Sequence, residues 1–493
     1  MCFKRPEVST SGRFFMCKSS KKGPSVGVKF VYFYGMSITR SIENIFKKVL
    51  PSPFAIAVLL TLLTISLAFF FTSPVNQNNH FLTILSYWEK GIWNNALLVF
   101  AYQMMLILVL GHILVLSSPL NTLIGKLTQF VHSTASAVVL VSVTTMIVSF
   151  FNWGLGLIFG AILARKVAES AQNRGFSINY PLVGASGYVG LMIWHGGISG
   201  SAPLKVAENG HIQDIMSSLS DANLKAQLPE SIAFDQTVLS TFNLTLFVIL
   251  LVLVPTLLFF IAKKAPTTPT NLPIYSPDVS NKTHLRGAEK LDQSNVLGIG
   301  FGLLVLAAFF YRYWGALGTL SITPNLLNFF MLGLAFLLHK NFKNFLNALE
   351  EAIKGATGIL IQFPLYFGIM GIMRESGMVV DISDFFVSIS TTQTLPIFTF
   401  ISAGLVNIFV PSGGGQWAIQ GPIVIESALK LGVGLPKAIM ALSYGDQITN
   451  MLQPFWALPL LGITKLKARE ILPYTLLLML LGTVVYIAGL LLL

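Results

Sequence analysis

Four polar stretches bearing glycine or proline interrupt long apolar sequence, and their residue types limit the chemistry open to this chain. They are Asn152-Trp153-Gly154-Leu155-Gly156, the nine residues His195 to Pro203, the run Pro411-Ser412-Gly413-Gly414-Gly415, and the ten residues Gly445 to Pro454. Proline and clustered glycine end helices. An interrupted helix presents unpaired backbone N–H groups, and the dipole of the half-helix that follows favours an anion there. Gly413, Gly414 and Gly415 let backbone approach a ligand without side-chain obstruction. Ser412 and Gln416 add donors, and residues 417–426 continue as a half-helix whose positive end faces the cavity. Asn152, Gly154 and Gly156 are the counterpart in the first half of the chain. A small carboxylate held between two such tips is the chemistry this pattern suits. No Lys or Arg lies in the four stretches, which favours one carboxylate over two or three.

Asp446 is the one acid in these stretches. A carboxylate at the centre of a bilayer costs about 2.5–3.5 kcal/mol on insertion scales, so it needs a partner or a wet cavity. Asp446 is expected to take a proton or to help hold Na⁺ as a coupling ion, with Gln447, Thr449, Asn450 and Gln453 offering oxygens beside it. Ser199 and Ser201 offer oxygens in the first half, and these two serines and Asn450 are counted with the substrate. His195 is read as a hydrogen-bonded packing residue, as a lone histidine more often is. Trp153, Trp417 and Trp456 either meet a short acyl tail or serve as packing and interfacial anchors.

The elements that position these residues follow from composition. Of 493 residues 54% are hydrophobic, and 11% are charged where a soluble domain carries about 25%. Mean hydropathy is +0.71. One water-soluble globule is excluded, and so are a disordered, collagen-like or coiled-coil chain. Strand alternation is absent, which leaves a polytopic helical membrane protein, an all-α class. Apolar runs lie at about 53–72, 93–117, 135–164, 181–204, 237–262, 295–311, 325–339, 355–373, 395–428, 436–462 and 473–493. The runs 135–164 and 395–428 are too long for one upright span, and each breaks midway. Reading both as re-entrant hairpins, with the N-terminus inside, puts 18 basic residues on the inner side and 7 on the outer, with another 7 in the N-terminal tail. That split obeys the positive-inside rule and accounts for the net charge of +12 without nucleic acid. The first hairpin then dips in from the cytoplasm and the second from outside.

A proline-led span follows each hairpin, and 14 residues separate proline from the middle of the break in both (181 to 195, 436 to 450). Hairpin plus broken helix thus occurs twice with opposite orientation. Inverted repeats with discontinuous helices point to a secondary transporter's binding site. The expected organisation is a basic tail over 1–35, a transmembrane repeat over 36–262, a cytoplasmic linker over 263–293 and a second repeat over 294–493. Met36 is the expected natural start, and Ser37 to Lys48 reads as an interfacial amphipathic helix. Cys2 and Cys17 both lie in the tail, and the spans hold no metal-ligand cluster, no HExxH and no Ser/His/Asp set, so no enzyme, metal or cofactor is expected beyond a coupling Na⁺. No Walker motif provides for ATP. A passive channel would build a symmetric filter by oligomerisation, whereas here one chain carries two inverted halves.

At these residues the sequence resembles the bacterial short-chain fatty acid transporter family, the acetoacetate and butyrate uptake type. The matching blocks are Phe151 to Gly156, Gly197 to Ser201, Ile361 to Pro364, Val410 to Pro422 and Asn450 to Pro459, and the likeness runs from about Met36 to the C-terminus. The tail before Met36 has no counterpart, and His195 stands where glycine is expected. Such proteins resemble a wider ion-transporter superfamily of opposed hairpins and elevator-like movement. The resemblance implies import of a small monocarboxylate by H⁺ or Na⁺ symport across the bacterial inner membrane, by a multi-pass protein that forms a homodimer. A dicarboxylate carrier on the same scaffold is the alternative.

Overall fold

The computed structural model describes residues 51–73, 79–217, 219, 221–269, 272, 287–318, 323–354 and 356–493. The tail 1–35, the interfacial helix expected over 37–48 and the middle of the linker 263–293 lie outside the described residues. Among the described residues the β pairing is one isolated antiparallel bridge, Ile178 with Thr268; the rest of the regular structure is helical.

An apolar sequence in lipid becomes helix because each backbone polar group must be bonded within its own segment. Helix α1 (Pro53–Phe71) starts at Ser52, whose hydroxyl accepts from the Ala55 N–H. Its buried residues are Ala57, Thr61, Thr64 and Ala68, a stripe of small side chains at helical spacing, while Phe70 and Phe71 point outward. Small residues let helix backbones approach where lipid supplies no hydrophobic drive. After α2 (Asn95–Leu116) comes the first hairpin, α3 (Thr134–Phe151) and α4 (Trp153–Asn173). The first interrupted helix follows as α5 (Tyr180–Ser186) and α6 (Ser201–Val206). Next are α7 (Thr241–Ala262), α8 (Asn295–Gly318) and α9 (Thr357–Glu375). The second hairpin is α10 (Leu395–Phe409) and α11 (Gly413–Leu431), the second interrupted helix α12 (Leu435–Thr449) and α13 (Pro454–Thr464), and α14 (Ala468–Leu492) closes the chain. By length and composition six of the described helices can cross a membrane: α1, α2, α3, α7, α8 and α14.

The first hairpin turns on one extended residue, Asn152 (φ −150°, ψ 121°), whose side chain accepts from Leu155 N at 2.9 Å. Its arms close on glycine. A Cβ at Gly156 would lie 1.9 Å from Ser149 Oγ, and one at Gly160 would lie 2.8 Å from Thr145 Oγ1 and 2.1 Å from the Gly187 carbonyl. The second hairpin differs from expectation. Gly413, Gly414 and Gly415 form the first turn of α11, and only Val410 to Ser412 leave the helix. Ser412 is extended and caps Gly415 N at 3.2 Å, so the glycines stay helical while the helix end still bares amides.

Both helix interruptions also fall differently. In the first, irregular backbone begins at Gly187, well before His195, and passes through 3₁₀ turns at Val189–Met192 and Trp194–Gly196. Gly187 and Gly190 lie against the first hairpin, where a Cβ would meet the Gly160 carbonyl at 2.5 Å and Ser149 Oγ at 1.9 Å. In the second, Gly445 to Thr449 remain helical and the interruption is Asn450 to Gln453. Gly445 serves contact: a Cβ there would lie 2.1 Å from the Phe400 carbonyl of α10. Pro454, which has no N–H to give, starts the next helix.

The main core runs through most of the helices, and a second, smaller one joins α6, α11 and the start of α12 to Ile212, Met216 and Ile232 of segment 207–240. That segment covers the far end of the second hairpin, and Trp417 Nε1 donates to His211 Nε2 at 3.1 Å.

Candidate functional site

The two interruptions are stitched together by side chains that each helix sends to the other's unpaired backbone. Gln447 Oε1 accepts from the N–H groups of His195 (2.7 Å) and Gly196 (3.0 Å), while its Nε2 donates to Tyr486 Oη at 2.8 Å. Tyr486 donates to the Met192 carbonyl, and the Tyr188 hydroxyl lies 2.9 Å from the Asn450 carbonyl. Asn243 Nδ2 donates to the Gly196 carbonyl at 2.8 Å, and its own oxygen accepts from Tyr444. Backbone freed at membrane depth is thus bonded again inside the protein, as its survival there requires.

His195 and Asp446 form the centre of this junction. Nδ1 of His195 lies 2.5 Å from Asp446 Oδ2, and both side chains are buried to within 1%. The Ala202 N–H at the start of α6 donates to Nε2 at 3.0 Å. His195 is thus a buried, hydrogen-bonded residue, and the carboxylate it meets lies 251 residues away in sequence.

Beside the pair lies the tip of the second hairpin. A Cβ at Gly413 would lie 2.7 Å from the Trp194 ring and 2.9 Å from His195 Cε1, and one at Gly414 would stand 3.8 Å from Ser201 Oγ. Within α11's first turn Gly415 N and Gln416 N are bonded to Ser412, which leaves the amides of Gly413 and Gly414 without a hydrogen-bond acceptor among the described residues. On the tip's other side a cavity of about 420 Å³ runs past Gly415, Met370 and Asn94 to exposed Lys90, Arg374 and Glu375.

The first hairpin's tip reaches the same segment from elsewhere. Trp153 N donates to Ser199 Oγ at 2.9 Å, Ile198 N donates to the Phe150 carbonyl at 2.8 Å, and the Trp153 ring lies 5.8 Å from Trp194 and 5.2 Å from Trp456. Gly154 is buried and faces Ile107.

Several expected site residues are brought together and several are turned away. Gly413, Gly414, Ser201 and Asp446 converge around His195. Gln416 is fully buried and turned inward, with Nε2 donating to the Ala403 carbonyl and to Gln420. The oxygen of Gln447 is occupied by two amides, so it is a clamp and offers no ligand to an ion. Thr449 Oγ1 and Asn450 Oδ1 accept from Asn407 Nδ2 at 2.9 and 2.8 Å, and Gln453 Nε2 donates to the Asn407 carbonyl. Ser199 and Asn152 cap the first tip. Trp417 and Trp456 are buried in packing contacts. Asn407, Asn243, Tyr188, Tyr444 and Tyr486 had no signal in the sequence beyond being polar groups in apolar runs, a rarity that marks bonded neighbours.

Residues 36–493 match the family model described as short chain fatty acid transporter. A protein of Escherichia coli (strain K12), provisionally named a short-chain fatty acid transporter, is 34% identical over 462 residues, covering 92% of this chain and 98% of its own. One from Haemophilus influenzae with the same provisional name is 33% identical over 464 residues, with the same shares covered. Among solved structures, the YdaH transporter of Alcanivorax borkumensis aligns over 89% of this chain and 98% of its own at 15% identity, with a TM-score of 0.40. MtrF of Neisseria gonorrhoeae, from a class titled antimetabolite efflux pumps, aligns over 92% and 97% at 14% identity, with a TM-score of 0.37. By the match of its sequence from residue 36 to its end, the chain belongs to the short-chain fatty acid transporter family.

Proposed function

We propose that this protein is a secondary active carrier that imports short-chain monocarboxylates, such as butyrate or acetoacetate, by symport with H⁺ or Na⁺. The observation that carries this is the pair of unbonded amides at Gly413 and Gly414, on a helix N-terminus, with no Lys or Arg beside them. Such a site suits a single carboxylate. Ser201 and Ser412 flank the anion, Asp446 serves the coupling ion, and the cavity reaching Lys90 and Arg374 is the outer access route. The two hairpin-and-broken-helix units are inverted repeats in a bacterial inner membrane, with the N-terminus cytoplasmic and two copies assembling as a homodimer.

The test is uptake of labelled butyrate, acetoacetate and succinate into proteoliposomes under imposed pH and Na⁺ gradients. Accumulation of the two monocarboxylates, chemically unchanged, is expected. Preference for succinate would replace this assignment with a dicarboxylate carrier, uptake that never exceeds equilibrium with a channel, and chemical conversion with an enzyme.

A further inference from the structure

We propose that the His195–Asp446 pair is the carrier's proton site, and that one proton taken up there lets one carboxylate anion settle at Gly413 and Gly414, so that the two cross together without net charge and without Na⁺. This rests on the monocarboxylate assignment above.

The hydrogen bonds fix the tautomer of His195. Ala202 N–H donates to His195 Nε2, so that nitrogen holds a lone pair. The ring must carry its one proton on Nδ1, which therefore donates to Asp446 Oδ2. With Nε2 bare and Nδ1 protonated the imidazole is neutral, so the pair is negative when Asp446 is ionised and neutral when Asp446 holds a proton. Its other oxygen, Oδ1, is buried and has no hydrogen-bond partner. A carboxylate so desolvated, with one oxygen unbonded, is costly unless something positive joins it.

Nothing on the surrounding elements does. Helices α3, α7 and α10 carry no ionisable side chain. The buried hydroxyls of Tyr188, Tyr444 and Tyr486 at this junction are committed to Asn450, Asn243 and Met192. On α6, Lys205 is exposed and paired with Glu208; on α11, Lys430 is paired with Glu426. Lys437 stands nine residues from Asp446 along α12, and on α14 Arg469, Glu470 and Tyr474 sit at the end remote from Tyr486. A hard cation needs a shell of about six or more oxygens; Gln447 Oε1 already accepts two hydrogen bonds, and beside Asp446 Oδ1 the unpartnered buried oxygens of this junction, among the described residues, are Asn407 Oδ1 and Gln453 Oε1, too few for such a shell. One proton needs only a single lone pair, either Asp446 Oδ1 or, with release of the Ala202 N–H, His195 Nε2.

The anion site touches this pair. A Cβ on Gly413 would lie 2.9 Å from Cε1 and 3.2 Å from Nδ1 of His195. A substrate carboxylate at that amide meets the charge of Asp446, and like charges in a dry site repel strongly. Protonation removes the repulsion, so proton and anion each raise the other's affinity, as linkage requires. Dissociation of the anion on the inner side removes the negative charge that favoured protonation, and the proton is released there.

The full chain in Na⁺-free proteoliposomes, with a pH indicator dye inside and protein-free vesicles as background, tests this. Acetoacetate is expected to acidify the lumen by one proton per anion, with no effect of an imposed K⁺–valinomycin potential. In Asp446→Asn the number of protons entering per labelled acetoacetate taken up should fall at least about tenfold, whatever the variant's rate of uptake. A merely structural role would lower protons and acetoacetate together, and that result overturns the proposal. So does wild-type uptake with no acidification, or net uptake that requires Na⁺. No uptake by the wild type overturns the substrate assignment and the proton site with it.

Discussion

The two hairpins use glycine in opposite ways. In the first, Gly156 and Gly160 lie between arms, where Ser149 and Thr145 fill the space a side chain would take, and the tip's first amide is bonded to Ser199. In the second, glycine sits at the tip and leaves two amides unbonded. Its arms are joined by polar side chains: Gln416 reaches the Ala403 carbonyl, and Gln420 reaches Ser402 and Ser383. The first is a closed wall and the second is a polar-lined wedge with a bare end. Similar glycine content therefore does not imply a shared role; what a Cβ would meet decides it.

Substitutions at these glycines can break that contrast. Gly156→Val has the largest expected effect, a loss of roughly 3 kcal/mol or more from overpacking against Ser149, read as a fall in thermal stability of detergent-purified protein by fluorescence-detected size exclusion. Next, Gly413→Ala should lower uptake about tenfold with the protein still inserted, since its Cβ lies against Trp194 and His195, whereas Gly414→Ala should stay within about twofold. Equal effects at 413 and 414 would mean that the second tip is packed like the first. Loss of a cap costs about 1 kcal/mol in either hairpin. Ser199→Ala should show it as stability with KM unchanged, and Ser412→Ala as a raised KM.

The smallest expected effect concerns the cover over the second hairpin. Burial, and then Lys205, hold the His211 imidazole below its ordinary pKa of 6.5. Its neutral form is thus favoured in the folded protein. The stability this contributes is present above about pH 6.5 and is lost as pH falls and the unfolded chain takes the proton first. Thermal stability should decline slightly more from pH 7 to 5.5 in the wild type than in His211→Gln; identical slopes would detach segment 207–240 from the hairpin.

Charges reveal a second difference between what a chain shows and what it folds into. Glu426 with Lys430, and Glu351 with Lys354, sit exposed on helix faces, as their surroundings in sequence suggest. Arg165 looks equally solvated, being counted with the inner-side charges, yet it is buried: Nε meets Glu169 at 2.9 Å, and Nη1 donates to the Ile463 carbonyl at the end of α13. An exposed pair is local, readable at i, i+3 or i+4. A partner 298 residues away is not.

Sequence by itself determined the helical membrane class, both hairpins, the existence of two interrupted helices and the family. These rest on apolar run length, on proline and glycine as breakers and on a long specific block around Val410, all of them local. Only the tertiary structure decided where the interruptions begin, because Gly187 and Gly445 serve close contacts that no window of sequence contains. It also joined His195 to Asp446 and spent the oxygen of Gln447 on two amides. A buried polar group's role depends on which partner reaches it, and in a folded chain those partners come from other helices, hundreds of residues away.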